Sequence, residues 1–403
     1  MLELINSLKL KFTNIMSYAL FLLSIMFFLF SSCFITQLIF SRYIYLPYSL
    51  QSSDELALNS SLIPDLTNSS QKQEFTLDPV IQALTTIPKP NDDLNIFALP
   101  VGNGDCTIVQ CPSGELIIID AGNTGGEGWM EAMIATFLKP QLSKISTLII
   151  MHADRDHFSY IPELFTLNDV PNLQRIILGG RKDDYTSPPF RKWLNQHAEV
   201  VEYINNGEPC IGKCNNDPPQ CNSGKDGVLF RYLGANLGNS VDGRSIMMQI
   251  NAGPNFQMLL PGDFLGSDIE ELLVNEWERR GQPLRSTHLK MSHHGNSIRA
   301  NSKVFLSAVA PSFAFASASY PGPPEWYPSC ESIKTLLNVG SIQLRRIPGR
   351  FSCGDEADRK AIQYENWPYS IYTLSPNIGD YEMVTINVPM PPRPHNNYSS
   401  ILH

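Results

Sequence analysis

Met151-His152-Ala153-Asp154-Arg155-Asp156-His157, entered from the apolar run Thr147-Leu148-Ile149-Ile150, decides the fold of this chain. A short apolar run of this kind reads as a buried strand, and the polar residues after it as the turn at the strand's end. Two imidazoles and two carboxylates fall within the six residues 152–157. Metal ligation is the chemistry that most directly accounts for such a mixture of borderline and hard ligands. A helix N-cap with a polar loop is the competing reading. Two further strand ends weigh against it: Leu259-Leu260-Pro261-Gly262-Asp263 ends in a carboxylate, and Leu289-Lys290-Met291-Ser292-His293-His294-Gly295 ends in two histidines.

Working outward, residues 95–99, 107–111, 116–119 and 145–151 read as strands, and 129–137 as a helix. Phe158, Ile161, Leu164 and Phe165 recur at helical spacing, so His157 opens a helix that packs on the sheet. The second half repeats the pattern with strands at 228–233, 246–250, 257–260 and 288–291 and a helix at 269–280. Strands in both halves with helices outside predict an α/β fold of two packed sheets covered by helices. With 403 residues, 43% of them hydrophobic, the chain can bury a large core.

Five segments occur in a telling order: Val101-Gly102-Asn103-Gly104-Asp105-Cys106, Ile118-Ile119-Asp120-Ala121-Gly122, the His-x-Asp-x-Asp-His cluster, Gly262-Asp263 and His293-His294-Gly295. The series resembles the metallo-β-lactamase superfamily, most closely the hydrolase domain fused to bacterial DNA-uptake (ComEC-type competence) channel proteins. The similarity covers residues 95–337, with 301–311 as the helix after the His-His-Gly turn. It implies an αββα metallo-β-lactamase-like sandwich whose metal ligands are His152, Asp154, Asp156, His157, Asp263 and His294. His152 and Asp154 would serve one ion, and Asp156 and His157 a second about 3.5–4 Å away. Asp263 would bridge the ions, and His293 is the rival of His294 for the last position. Asp120 would hold a ligand histidine in its tautomer, and Asp156 or Asp263 would orient the attacking water. Arg155, Lys290 and Asn296 are the expected substrate contacts.

The chain departs from the wider superfamily at three points. Asp154 replaces the usual second histidine of the cluster. No clear middle histidine stands between His157 and Asp263; His197, read as the end of an exposed helix, is the candidate there. Where many competence-type relatives place a histidine before a proline, this chain has Tyr327-Pro328. A ligand set of nitrogen and oxygen without thiolate suits up to two ions of zinc, manganese or iron, and the added carboxylates tilt it toward manganese.

The resemblance implies cleavage of a phosphodiester, in single-stranded nucleic acid or a nucleotide-like small molecule; other ester, thioester and lactam hydrolases share the superfamily. The alternative from another class is a catalytically degenerate, membrane-tethered binding ectodomain. A formal charge of −9 argues against a sequence-independent grip on duplex DNA, which depends on clustered Lys and Arg.

The chain ends are organised differently. Residues 1–11 form a short tail, and 12–42 an apolar stretch, uncharged over 12–40, that reads as a single N-terminal transmembrane helix. A cleaved signal peptide, giving a secreted protein, is the alternative. Residues 43–88 read as a polar stalk, 89–390 as the catalytic domain and 391–403 as a Pro/Asn-rich tail. Lys9 and Lys11 before the span, against Arg42 after it, place the domain on the non-cytosolic side. Sequons at Asn59, Asn68 and Asn397 fit a glycoprotein there. Cys210, Cys214 and Cys221 lie in a Pro-, Asn- and Gly-rich loop where disulfides would replace a core. Cys106 and Cys111 face opposite sides of one strand and cannot bond to each other, and Cys106 reads as a small buried apolar residue.

Overall fold

The computed structural model describes residues 86–390, apart from 125–127, 167, 225, 265, 320–325, 375, 378–379 and 382. The chain divides into Met1–Glu74 and Phe75–His403, and every described residue belongs to the second unit. The apolar stretch at 12–42, the stalk up to residue 85 and the sequons at Asn59, Asn68 and Asn397 lie outside the described residues, whereas Ile87, placed in the stalk by the sequence, is buried in the core with its amide donating to the Phe137 carbonyl at 2.7 Å. Within them, no helix is long and apolar enough to cross a membrane.

The first sheet is built from β1 (Leu94–Ala98), β2 (Thr107–Gln110), β3 (Leu116–Ile119), β4 (Ile145–Ile150), β5 (Arg175–Leu178) and β6 (Val201–Tyr203). Its helices are α1 (Gly128–Leu138), α2 (Arg155–Phe158), α3 (Ile161–Leu164) and α4 (Pro188–Gln196). The second sheet begins with β7 (Cys210–Ile211), β8 (Val228–Ala235), β9 (Ile246–Ala252) and β10 (Phe256–Leu260). It continues through α5 (Ser267–Arg279), β11 (His288–Lys290), α6 (Lys303–Val309), β12 (Phe313–Ser317) and α7 (Cys330–Asn338). A long hairpin of β13 (Leu344–Asp355) and β14 (Lys360–Tyr369) comes next, then β15 (Ile371–Leu374), the short pair β16 (Pro376–Asn377) and β17 (Asp380–Tyr381), and β18 (Val384–Val388).

Each large sheet has seven strands, in the orders β18-β1-β2-β3-β4-β5-β6 and β15-β12-β11-β10-β9-β8-β7. In the first, β1, β2 and β3 are antiparallel neighbours and β3 to β6 run parallel. In the second, β7 to β10 are antiparallel and β10, β11, β12 and β15 parallel. Residues beyond the motif-bearing region therefore complete both sheets, β18 against β1 and β15 against β12.

Side-chain alternation explains the layers. On β4, Ile149 packs into the cluster between the sheets with Ile117, Met248, Ile250 and Phe315, while Leu148 and Ile150 pack with Phe137, Phe190 and Trp193 of the helices. On the other side Leu259, Leu289 and Ala314 meet Leu273, Trp277, Phe305 and Leu336 from α5, α6 and α7. The result is the αββα layering expected from the sequence. Strands buried on both faces carry near-continuous apolar runs, as Ile145–Ile150 does.

Among the described residues three disulfides close loops: Cys111–Cys221, Cys210–Cys214 and Cys330–Cys353. The loop containing Cys210, Cys214 and Cys221 is cross-linked as expected, although Cys221 leaves it to reach the end of β2. Cys106 is a free, buried thiol, and burial pushes its pKa up.

Candidate metal centre

Parallel strands deliver their C-terminal ends to one side, and the turns there carry the ligand-type residues. Asp120 follows β3, His152 to His157 follow β4, Asp263 follows β10 and the His-His-Gly turn follows β11. Asp154 is the N-cap of α2, its carboxylate accepting from the Arg155 amide at 2.6 Å, and Asp156 and His157 lie inside that helical turn. The turn at Asp120–Gly122 presses against the cluster: a Cβ on Gly122 would sit 2.6 Å from the Asp156 carbonyl carbon, so only glycine fits. His293, His294 and Gly295 all have positive φ, a conformation that costs energy for the two histidines and turns their rings where an ordinary turn would not.

Two hydrogen bonds set the tautomers. His157 Nδ1 lies 2.8 Å from Asp120 Oδ2, and His294 Nδ1 lies 2.6 Å from the Ser317 carbonyl. Carboxylate and carbonyl oxygens only accept, so both rings carry a proton on Nδ1 and direct Nε2 inward. The two Nε2 atoms lie 3.3 and 3.2 Å from the same Asp263 Oδ2, and His294 Nε2 is 3.0 Å from Asp156 Oδ2. Lone pairs facing carboxylates repel unless a proton or a metal cation lies between them.

The electrostatics express that demand. Burial would push His157 down, but Asp120, Asp263 and Asp156 hold it well above the usual imidazole range. Burial opposes the charge of His294 as well, and Asp263 and Asp156 outweigh it in the same direction. Against the upward push of burial, His157 and His294 hold Asp156 below the ordinary carboxylate range, and His294, His157 and Lys290 do so for Asp263. Burial raises Asp120, partly offset by His157.

The residues fit divalent metal. Asp156 Oδ1, His157 Nε2 and His152 Nδ1 are buried and lack a hydrogen-bond partner among the described residues. Such orphaned atoms are costly unless something binds them. Three groups of side chains bring ligand atoms within 4.8 Å of one another: Asp105, His157, Asp263 and His294; His152, Asp156 and His157; and His152, Asp154 and Asp242. Asp105 is the exception within the first. Its Oδ2 lies 3.7 Å from His157 on the Nδ1 side and ion-pairs with the Lys290 ammonium, so it stands behind the imidazole and is a charge partner of Lys290.

The structure redistributes several expected roles. Lys290, expected to face substrate, is only 4% exposed and is engaged with Asp105 and Asp263, which raise its pKa against the lowering effect of burial. Asn296 is likewise buried: its Oδ1 accepts from the Ile298 and Arg299 amides and its Nδ2 donates to the Tyr327 hydroxyl at 3.0 Å. It shapes the turn after His-His-Gly instead of meeting solvent. Arg155 is exposed at the start of α2. His197 is buried at the C-cap of α4 against Trp193, its Nδ1 on the Trp193 carbonyl, and is in none of the ligand groups; the exposed helix end expected there is corrected. His293 is half-buried, burial lowers its pKa, and it too is in none of the groups.

Two residues at the site were not legible from the sequence. Asp105 lies in the Val101–Cys106 segment, where nothing local assigns it a role. Asp242, in a short turn before β9, lies with its Oδ1 3.5 Å from His152 Nε2 and supplies the ligand-type group sought between His157 and Asp263. Only allowing carboxylate in place of histidine could have found it.

The chain resembles the competence-type metallo-β-lactamase-fold hydrolases. No family model matches it. The competence protein ComA of Neisseria gonorrhoeae is 32% identical over 123 residues, which is 30% of this chain and 17% of that relative. The chain thus matches about a sixth of the curated relative's length. Similar solved structures include Igni18, a metallo hydrolase from Ignicoccus hospitalis, at 12% identity, 67% of this chain and 99% of that one, TM-score 0.38. The metallo-β-lactamase fold protein YhfI from Bacillus subtilis is similar at 11% identity, 61% and 93% coverage and TM-score 0.37. Human tRNase Z, short form, is similar at 13% identity, 58% and 89% coverage and TM-score 0.33.

Proposed function

We propose that the chain is a metal-dependent phosphodiesterase acting on single-stranded nucleic acid or a nucleotide-like substrate. The observation that carries this reading is the pair of imidazole Nε2 atoms converging on one Asp263 oxygen, with Asp156 beside them. Asp156, His157, Asp263 and His294 would hold one divalent ion, and His152, Asp154 and Asp242 a second. Bound there, such ions supply Lewis-acid charge and lower the pKa of water from about 15.7 toward about 7. Manganese and zinc suit the donor set, and its four carboxylates, Asp154, Asp156, Asp242 and Asp263, favour the harder ion.

The chain's own residues do the rest. Asp120 keeps His157 in the tautomer that presents Nε2, and the Ser317 carbonyl does the same for His294. Asp156 or Asp263 orients the attacking water. Lys290 offsets the charge of Asp105 and Asp263 at the floor of the site. Arg155 and, beyond the C-terminal end of β5, Arg181 and Lys182 are exposed cations on the side where the ligands gather. They support an anionic substrate held locally by a chain of net charge −9.

The test is turnover of a panel of phosphodiester, thioester and lactam substrates with manganese or zinc, beside His152→Ala and Asp156→Ala. Phosphodiester turnover lost in both variants is the expected result. Turnover of a thioester or lactam alone overturns the substrate class, and absence of both turnover and bound metal returns the chain to a binding ectodomain. We further infer a non-cytosolic domain held by the apolar stretch at 12–42, a reading supported by the three disulfides. Glycan at Asn59 or Asn68 in a eukaryotic secretory host, with protein kept in the membrane after carbonate washing, is its expected outcome. Unglycosylated cytosolic protein refutes it.

A further inference from the structure

Tyr327 stands at the edge of the metal centre on a segment that is fastened from two sides. On one side it docks on the His-His-Gly turn. The Tyr327 ring lies 5.8 Å from the His293 ring and 6.5 Å from the His294 ring, nearly parallel to the latter at 20°. Its hydroxyl accepts from Asn296, the Ser329 amide donates to the Gly295 carbonyl at 3.0 Å, and Ser329 and Ser297 share a hydroxyl contact at 2.9 Å. The Asn296 amide cannot turn over without cost, because its Oδ1 already accepts from the Ile298 amide at 2.8 Å.

On the other side the segment is held by the β13–β14 hairpin, which lies beyond the residues that carry the family resemblance. The Gly354 amide donates to the Pro328 carbonyl at 2.8 Å, and Ser329 pairs with Gly354 as an isolated bridge. A Cβ on Gly354 would come within 2.6 Å of Trp326 Cβ, so β13 lies directly against this segment. The Cys330–Cys353 disulfide joins the residue after Ser329 to the residue before Gly354. The hairpin tip adds a contact between Glu356 and Ser297. So many restraints on three or four residues fix one ring, and Tyr327 remains half-buried.

We propose that Tyr327 is a specificity-determining residue that stacks on a planar aromatic group, such as a nucleobase, carried next to the phosphate held at the metals. The assignment rests on the phosphodiesterase reading above and deepens it. A ring beside His294, itself a candidate ligand, is within one sugar of a phosphate at the centre. Aromatic faces stack on every base, so the preference is for a base and not for a sequence. Hydrogen-bonding to Asn296 and the covalent staple pre-set the ring before substrate arrives, which reduces the ordering cost of binding.

The test compares the metal-loaded full chain on two chromogenic diesters with the same leaving group, thymidine 5′-(p-nitrophenyl phosphate) and methyl p-nitrophenyl phosphate. Tyr327→Ala is expected to lower the preference for the nucleoside ester by about tenfold, mainly through KM, with metal content equal to wild type. Tyr327→Phe, which keeps the ring, restores most of that preference. The double variant Cys330→Ser/Cys353→Ser, which frees the hairpin, shifts KM for the nucleoside ester the same way. An unchanged preference in Tyr327→Ala, or a loss that Tyr327→Phe shares in full, overturns the stacking assignment while leaving the hydrolase reading intact. A wild-type chain that binds metal and turns over neither ester overturns the phosphodiesterase reading and this assignment with it.

Discussion

Replacing Asp120 by Asn changes one atom type and reverses the polarity of the contact that orients His157. The backbone tolerates it: Asp120 has φ +58°, a region that Asn adopts more readily than most residues. Burial already disfavours the Asp120 charge, so removing that charge does not by itself unfold the site. The Met151 amide donates to Asp120 Oδ1 at 2.8 Å, which keeps the oxygen of Asn on that side and turns its NH2 toward His157 Nδ1. His157 must then accept at Nδ1 and carry its proton on Nε2, aimed at Asp263 and the metal. Losing an outer hydrogen bond to a metal ligand costs about 10–100-fold in affinity, or about 1.4–2.7 kcal/mol, and Asp120→Ala is expected in that range because water can still accept from Nδ1. Asp120→Asn adds the wrong tautomer, whose effect in the serine-protease triad is about 10⁴ in rate. Its affinity should therefore fall below that of Asp120→Ala. Competition with a chromophoric chelator measures the affinities, and nitrogen shifts of His157 report the tautomer. An Asn variant that binds metal as tightly as wild type, or more tightly than the Ala variant, refutes the reasoning.

Three further outcomes rest on the geometry. Asp242→Ala should leave one divalent ion per chain where wild type holds two, and Asp242→His should restore the second, as read by elemental analysis of dialysed protein; two ions in the Ala variant would remove Asp242 from the ligand set. Cys111→Ser/Cys221→Ser opens a crosslink spanning 110 residues and, by loop entropy, should cost about 5 kcal/mol in denaturant unfolding; a loss under about 1 kcal/mol would show that the pairing adds little. His288, buried between Phe256 and Phe313, is held down to about 4 by burial, so its neutral form stabilises the fold fully above the unfolded value of about 6.5 and loses that contribution as pH falls toward 4. From pH 8 to pH 5 wild type should lose about 2 kcal/mol more than His288→Asn in urea unfolding, and equal losses would refute the linkage.

The sequence was most legible where one periodicity ruled. β4 and its ligand turn were expected at 145–157, and the structure places the strand at Ile145–Ile150 with α2 directly after it, because a strand buried on both faces must be an apolar run and a parallel sheet must put its polar turn at the C-terminal end. The second half was readable for the same reason. What escaped was non-local. Nothing in Arg175–Leu178 or Val201–Tyr203 alone announces two more parallel strands, and β15 and β18 join sheets whose other members lie far away in sequence. The roles of Lys290 and Asn296 escaped for a related reason: a cation or amide beside a motif has the same appearance whether it meets solvent or a buried carboxylate. Asp105 and Asp242 decide that question for Lys290 and His152, and both reach the site from other strand ends.

The same contacts bear on how an acidic chain would accommodate the anionic substrate proposed for it. Asp105, Asp120, Asp154, Asp156, Asp242 and Asp263 gather around one ammonium, Lys290, and the imidazoles of His152, His157 and His294. Protonated imidazoles offset part of that negative charge, but they would place protons on the Nε2 atoms that face Asp156 and Asp263. Two divalent cations, as proposed above, would offset more of it, would use those same lone pairs, and would leave the rings neutral. Lys290 cannot serve the substrate as well, since both of its carboxylate partners are buried and an unpaired buried charge costs several kcal/mol. On the proposed phosphodiesterase reading, positive charge for a phosphate would have to come from the metals and from the exposed rim at Arg155, Arg181 and Lys182, and a phosphodiester approaching the metal-free site would meet a field of the wrong sign.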